Sequence, residues 1–314
     1  MKIAITESEN FSQEAFDRLS KVGDVLRLNI KSSAELAEKC QDADAIFIRL
    51  GYKIGKNTID NLPKLKYILS ATTGTDHIDE AYFTARGGNV ICLKGETGFL
   101  DSIPSTAEHT WAILLALARK IPSAFDHVKL NGWDRNPYKG NNLRGKKFAI
   151  LGLGRVGKQV AKFADAFGME IAFYDTAIFP SHYNRMQNAE DLFAWGDVIS
   201  IHIPLNERNV GFVNSQLLDF ATRDAWLINT SRGQVWDELA VAEKLKNGTI
   251  KGVATDVIAE EHDAKVQAKN PLVVLAKNNY NLIITPHIAG ATYESMEMTE
   301  IFIAQKFIKM LPDG

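Results

Sequence analysis

Three stretches in the second half of the chain carry side chains suited to anion and proton chemistry. They are "INTSRG" with Arg232, "TDVIAEE" with Asp256, Glu260 and Glu261, and "TPHIAGAT" with His287. An arginine can grip a carboxylate with two parallel hydrogen bonds, which a lysine cannot. A histidine carries a proton near neutral pH, and a carboxylate hydrogen-bonded to it fixes the ring and raises its pKa. Taken singly, each residue has an ordinary explanation: a surface ion pair, a solvated acidic loop, a polar loop residue. Taken together they form a usable set: an anchor for a carboxylate, a proton donor, and a group that keeps the donor protonated. Reduction of a 2-oxo acid needs those three functions and a source of hydride. At this level Glu260 and Glu261 are equally eligible.

A place for the hydride source lies upstream. Gly152, Gly154 and Gly157 form "GLGRVG" between the apolar run "KKFAIL" and the helical pattern "RVGKQVAKFADAFG". The next apolar run, "EIAFYD", ends at Asp175. Strand, glycines, helix, strand and acid in this order form a dinucleotide-binding fingerprint. Gly152 permits the tight turn, Gly154 lets a pyrophosphate approach the backbone, and Gly157 lets helix and strand pack closely. The helix N-terminus presents N–H groups and a positive dipole end to phosphate. Asp175 would accept hydrogen bonds from the ribose hydroxyls and repel a 2′-phosphate, which favours NAD.

The elements that must position these residues are legible as alternating strands and helices. "KIAIT", "DVLRL", "DAIFIRL", "KYILSA" and "NVICL" read as one series of strands. "KKFAILGLG", "EIAFYD", "VISIHIP", "AWLINT", "GVATD" and "LIITP" read as a second. Such alternation predicts an α/β fold with parallel sheets, and strands apolar throughout predict helices on both faces. Arg232, Asp256 and His287 each follow a strand of the second series, where ligands of open α/β sheets bind. Between the series, "STAEHTWAILLALAR" (105–119) has helical spacing, with Ser105 and Glu108 placed as in a capping box. That helix suits a domain junction or a subunit interface, and an ordinary core helix nearly as well. "TYESMEMTEIFIAQKFIKML" reads as a last amphipathic helix.

With these segments in order, the chain resembles the D-isomer-specific 2-hydroxyacid dehydrogenases over essentially its whole length. The resemblance rests on "TTGTDHID" (72–79), "STAEHTWAILLALAR", "GLGRVG", "INTSRG", "TDVIAEE" and "TPHIAGAT", and is greatest to the phosphoglycerate-dehydrogenase-like branch. It implies two doubly wound parallel-sheet domains. A Rossmann NAD-binding domain (99–289) would be inserted into a smaller flavodoxin-like substrate domain (1–98 and 290–314). It implies that His287 is the acid–base group, that Glu261, five residues after Asp256, is its partner, and that Arg232 holds the substrate carboxylate. Arg155, Val156, Ile203, Pro204, Thr230, Asp256 and Gly290 would line the cofactor. Thr72, Thr73 and Gly74 would bind the substrate carboxylate, with Arg49 contributing, and domain closure would exclude water. A homodimer through the 105–119 helix is also implied.

Some positions depart from the family pattern. His262 stands where Pro is usual, Trp236 where a small aliphatic residue is usual, and Ser70 where phosphoglycerate dehydrogenases tend to carry Arg. The regulatory C-terminal domain that some of them carry is not expected here. Phosphoglycerate is therefore not the expected substrate; a small 2-hydroxy or 2-oxo acid is. The alternative on the same scaffold is an NAD(H)-responsive binding protein of the corepressor type; formate or phosphite oxidation is a further one within the enzyme class.

Composition narrows the setting. With 314 residues, 36 Lys and Arg against 38 Asp and Glu, and no run of like charge, neither nucleic acid nor a membrane surface is an expected partner. No apolar run approaches the roughly 20 residues of a membrane span. Cys40 and Cys92 lack the spacing of a metal or redox site, so the expectation is a cytoplasmic protein with reduced thiols and no metal.

Overall fold

A computed structural model of the chain describes residues 1–311. The chain divides into two compact units. The first is Met1–Ile103 with Ala291–Gly314, and the second is Pro104–Gly290. Residues 312–314, the end of the segment assigned to the substrate domain, lie outside the described residues.

The first unit holds a five-stranded parallel sheet of β1 (Lys2–Ile5), β2 (Asp24–Arg27), β3 (Ala45–Ile48), β4 (Tyr67–Ser70) and β5 (Asn89–Ile91). Their order is β2-β1-β3-β4-β5, that of flavodoxin-like folds. Alternation sends Ile3, Ile5, Phe47 and Leu69 into one buried cluster and Ala4, Ile46, Ile48 and Ile68 into another. Helices cover both faces, which explains strands with no polar side. Helix Tyr293–Met310 returns to this unit and buries Ile303, Ala304 and Phe307 in the first cluster. Phe302 stacks on Phe99 at 4.0 Å and Phe307 meets Tyr67 edge-on at 5.1 Å. Cys40 and Cys92 are buried and free, and burial pushes the Cys40 thiol up to about 11.

The second unit holds β6 (Lys147–Leu151), β7 (Glu170–Tyr174), β8 (Asn184–Arg185), β9 (Val198–Ile201), β10 (Trp226–Asn229), β11 (Gly252–Thr255) and β12 (Leu282–Ile284). All pairings are parallel, in the order β12-β11-β10-β9-β6-β7-β8. The order reverses at β6, which pairs with β7 on one side and β9 on the other. This is the doubly wound arrangement whose switch point binds nucleotides.

Helix Ser105–Ala118 opens this unit and is a core helix. Ala107, Trp111, Ile113, Leu114, Leu117 and Ala118 join the cluster of Phe148, Ile150, Trp226 and Ile228. The capping box expected at its start does not form. Pro104 occupies the N-cap, Ser105 already has helical geometry, and its buried hydroxyl finds no hydrogen-bond partner. A hydroxyl one position inside the helix cannot reach the amide that a capping box satisfies. Among the described residues no helix is long and apolar enough to cross a membrane.

Arg49 follows β3. Its guanidinium donates to Glu300 Oε1 from Nε at 3.0 Å and from Nη2 at 2.6 Å, and to the carbonyls of Glu9 and Asn10. Glu300 is 1% exposed, and its other oxygen accepts the Ser12 amide. Removing one partner of a buried ion pair strands the other charge, at a cost of about 3–5 kcal/mol. Arg49→Ala is expected to lower stability by about 3 kcal/mol at an unchanged denaturant slope. A urea titration checks this, and a change below about 1 kcal/mol would mean the pair is dispensable.

Candidate active site

Each candidate of the second unit sits just past the carboxyl end of a strand. Gly152 follows β6, Asp175 follows β7, Ile203 and Pro204 follow β9, Thr230 and Arg232 follow β10, Asp256 follows β11, and His287 follows β12. Parallel pairing alone brings these six loops to one edge of the sheet.

The glycine turn has the geometry its sequence requires. Gly152 has φ +93°, a left-handed conformation that favours glycine, and a Cβ there would lie 3.0 Å from the His202 carbonyl. A Cβ on Gly157 would lie 2.3 Å from the Gly152 oxygen, so helix Arg155–Ala166 can cross this close only with glycine. A Cβ on Gly154 would meet nothing within 4 Å. That open space lies at the N-cap of the helix, which also starts at Arg155 and Val156. Amides of the first helical turn have no partner within a helix, and they suit an anion. The residues present therefore fit a dinucleotide pyrophosphate.

Asp175 is half-buried and already braces this turn. Its carboxylate accepts the Leu153 and Ala177 amides, each at 2.9 Å. His202 was not singled out in the sequence. Its Nε2 lies 2.7 Å from Ser200 Oγ, and burial pushes its pKa down to about 3, so the ring stays neutral beside the glycine turn. Ile203 is half-buried and Pro204 exposed. Thr230 is buried, with its hydroxyl 2.7 Å from Thr110 of the core helix.

Arg232 is held by the backbone around it. Asn229, fully buried at the end of β10, donates to the Arg232 carbonyl at 3.0 Å and accepts from the Ser231 amide and hydroxyl at 2.9 Å. Gly233 has no room for a Cβ, which would fall 2.1 Å from the Ile258 backbone. The loops after β10 and β11 therefore touch.

The two glutamates separate clearly. Glu260 is exposed with φ +52°, whereas Glu261 is half-buried and its Oε1 lies 2.5 Å from His287 Nδ1. A carboxylate accepts, so Nδ1–H donates and Nε2 faces away from Glu261. Gln267 donates to the Glu261 carbonyl. Glu238 fastens the same loop by accepting the Ala259 amide at 2.8 Å and the Asn270 side chain at 2.6 Å. Burial raises the Glu238 pKa, with the two hydrogen bonds opposing it. His262 Nε2 stands 3.9 Å from Glu261 Oε1, beyond hydrogen-bond reach.

His287 itself has φ +53°, uncommon for a non-glycine residue. Asp256 holds it there. The Asp256 carbonyl accepts the His287 amide at 2.8 Å, and its carboxylate accepts the Ile288 amide at 2.9 Å and the Ala289 amide at 2.7 Å. Thr285 Oγ1 lies 2.5 Å from the same carboxylate. Burial pushes the Asp256 pKa up, but His109, Thr285 and the two amides outweigh it and leave the pKa below the usual value. The carboxylate is thus the favoured form, although only 1% of the residue is exposed. Gly290 follows, with open space at its Cβ position.

In the first unit, the Thr72 hydroxyl donates to the Gly74 carbonyl and lies 2.7 Å from Ser70 Oγ. Thr72, Thr73 and Gly74 form a tight, partly exposed loop after β4. Arg49 does not present a free guanidinium, because Glu300 and two backbone carbonyls take it up.

Comparison with known proteins agrees with this layout. Residues 111–289 match the family model described as D-isomer specific 2-hydroxyacid dehydrogenase, NAD binding domain. The chain is 34% identical to a D-3-phosphoglycerate dehydrogenase of Methanocaldococcus jannaschii, over 99% of this chain and 57% of that protein. It thus spans about half the length of the phosphoglycerate dehydrogenases it matches. It is 33% identical to a glyoxylate reductase of Thermofilum pendens, over 89% of this chain and 82% of that one. A crystal structure of D-lactate dehydrogenase from Aquifex aeolicus, complexed with NAD and lactic acid, superposes with a TM-score of 0.81 at 25% identity, covering 98% of this chain and 96% of that one.

The second and third glycines make separable predictions. Gly154→Ala should fold with wild-type thermal stability but lose NADH affinity, because its methyl group would occupy ligand space. Gly157→Ala should lose about 1–3 kcal/mol of stability by overpacking against the Gly152 carbonyl. Thermal unfolding together with NADH fluorescence titration distinguishes the two; equal effects on both readouts would contradict the assignment.

Proposed function

This chain belongs to the D-isomer-specific 2-hydroxyacid dehydrogenase family, and we propose that it catalyses reversible hydride transfer at C2 of a small D-2-hydroxy acid or the matching 2-oxo acid. The observation that carries this reading is the 2.5 Å contact between His287 Nδ1 and Glu261 Oε1. NAD, when bound, supplies or accepts the hydride. His287 Nε2 gives its proton to the carbonyl oxygen during reduction and takes the hydroxyl proton during oxidation. Glu261 fixes the imidazole tautomer and compensates its charge when both nitrogens carry protons. Arg232 grips the substrate carboxylate and lies against the carbonyl oxygen. Arg49 is left out because its partners are internal. Two reduced cysteines fit a cytoplasmic setting.

The test follows NADH oxidation at 340 nm across a panel of 2-oxo acids, including hydroxypyruvate, glyoxylate, pyruvate and 3-phosphohydroxypyruvate. The expected result is turnover of one or more of them, with kcat about 10²–10⁴-fold lower in His287→Gln. Tight NADH binding without turnover of any acid would contradict the proposal and favour a binding role.

We also propose a homodimer. The 105–119 helix turns its apolar side into its own domain, but the segment directly after it does not. Phe125 is 62% exposed, Leu130 81% and Trp133 89%, and helix Ile121–Lys129 buries no residue. Such a cluster of exposed large apolar residues marks an association surface. Light scattering should give twice the chain mass for wild type and a monomer for the double variant Phe125→Ser, Trp133→Ser. A monomeric wild type would contradict this.

A further inference from the structure

A second histidine lies behind the first. His109, the fifth residue of the core helix Ser105–Ala118, points its Nε2 at Thr285 Oγ1, 2.9 Å away, and at Asp256 Oδ1, 3.3 Å away. Its side chain is 17% exposed and that of Asp256 is fully buried. Nothing in the reaction assigned above uses it.

The hydrogen-bond inventory fixes the direction of this chain. The Asp256 carboxylate can only accept. Thr285 therefore gives its one hydroxyl proton to Asp256 Oδ1 at 2.5 Å, and has only lone pairs left for His109. His109 must then donate from Nε2 to Thr285 and Asp256. The chain ends at the backbone of the loop that carries His287: Asp256 accepts the Ile288 amide on Oδ1, the Ala289 amide on Oδ2, and the His287 amide on its main-chain carbonyl. Those three consecutive amides define the turn in which His287 adopts φ +53°. A buried carboxylate with a choice of rotamers would let that turn relax; one fixed from behind by a donor on a packed core helix does not.

We propose that His109 is a positioning residue for His287, acting through Thr285 and Asp256 to hold the 287–289 turn in its left-handed conformation. The proposal rests on the reading of His287 as the acid–base group, but its mechanical part stands without it. His109 touches neither substrate nor reacting atoms. Its contribution is to keep the imidazole of His287 in register with Glu261, where a misplacement of about 1 Å costs on the order of a hundredfold in rate.

Three variants test this: His109→Phe, which keeps bulk and removes the donor; His109→Gln, which keeps an N–H donor; and Thr285→Val, which breaks the next link. Two readouts are taken on each. The first is amide hydrogen exchange at Ile288 and Ala289 by NMR, which needs neither substrate nor turnover. The second is kcat and KM with the best 2-oxo acid of the panel, with NADH affinity as a control on folding. His109→Phe and Thr285→Val are expected to speed exchange at both amides at least tenfold, with strand amides of β10 and β11 unchanged. They are expected to lower kcat about tenfold to a hundredfold with NADH affinity retained. His109→Gln is expected to recover most of both effects. Unchanged exchange at Ile288 and Ala289 in His109→Phe would overturn the proposal, and so would a His109→Gln that behaves like His109→Phe, since packing alone would then account for the residue. If wild type turns over no 2-oxo acid, the functional reading fails, while the exchange data still decide whether His109 positions the turn.

Discussion

The carboxylate of Asp256 is the constraint on which the active loop depends. It sits just past β11, a strand paired on both sides, is 1% exposed, and stays ionised because amides, a hydroxyl and an imidazole meet it. A buried charge of this kind is stable only when its hydrogen bonds are complete. Completing them requires the backbone after β12 to turn toward β11, and that turn places His287. The strained φ of His287 follows from how one buried anion is satisfied.

Around this point the sheet does the gathering. Neighbouring strands β10, β11 and β12 deliver Arg232, then Asp256 and Glu261, then His287, while β6 and β7 deliver the glycine turn and Asp175 across the switch point. Loops of this length would wander without local fastening. Asn229 ties down the Arg232 loop, and Glu238 and Asn270 tie down the Glu261 loop. Asn229 and Glu238 close directly on backbone, and Asn270 steadies Glu238 from the side, which holds each loop at the sheet edge without covering it.

Much of this was legible in the sequence because it depends on short-range patterns. Strands apolar on both faces, glycines whose absent Cβ leaves room, and an acid at the next strand end are features of a few residues each. The choice between Glu260 and Glu261 was harder. The residues alone leave both open, and only the resemblance to the family, whose spacing from Asp256 it matches, favours the second; in the fold Glu260 takes a left-handed turn and is exposed. What the sequence hid are contacts between distant segments. Arg49 meets Glu300 across 251 positions, and His109 meets Thr285 across 176. Ser105 misled for the opposite reason: the right residue types at the right spacing, shifted one place by Pro104.

The central claim is that Glu261 fixes His287 with Nδ1 protonated and Nε2 turned to the substrate. ¹⁵N NMR of the imidazole rings, in wild type and in Glu261→Gln, tests it most directly. The account predicts a His287 Nδ1–H signal with the shift and slow solvent exchange of a strong hydrogen bond, lost in the variant. A neutral His287 protonated on Nε2 alone, or a Nδ1 signal unaffected by Glu261→Gln, would contradict it.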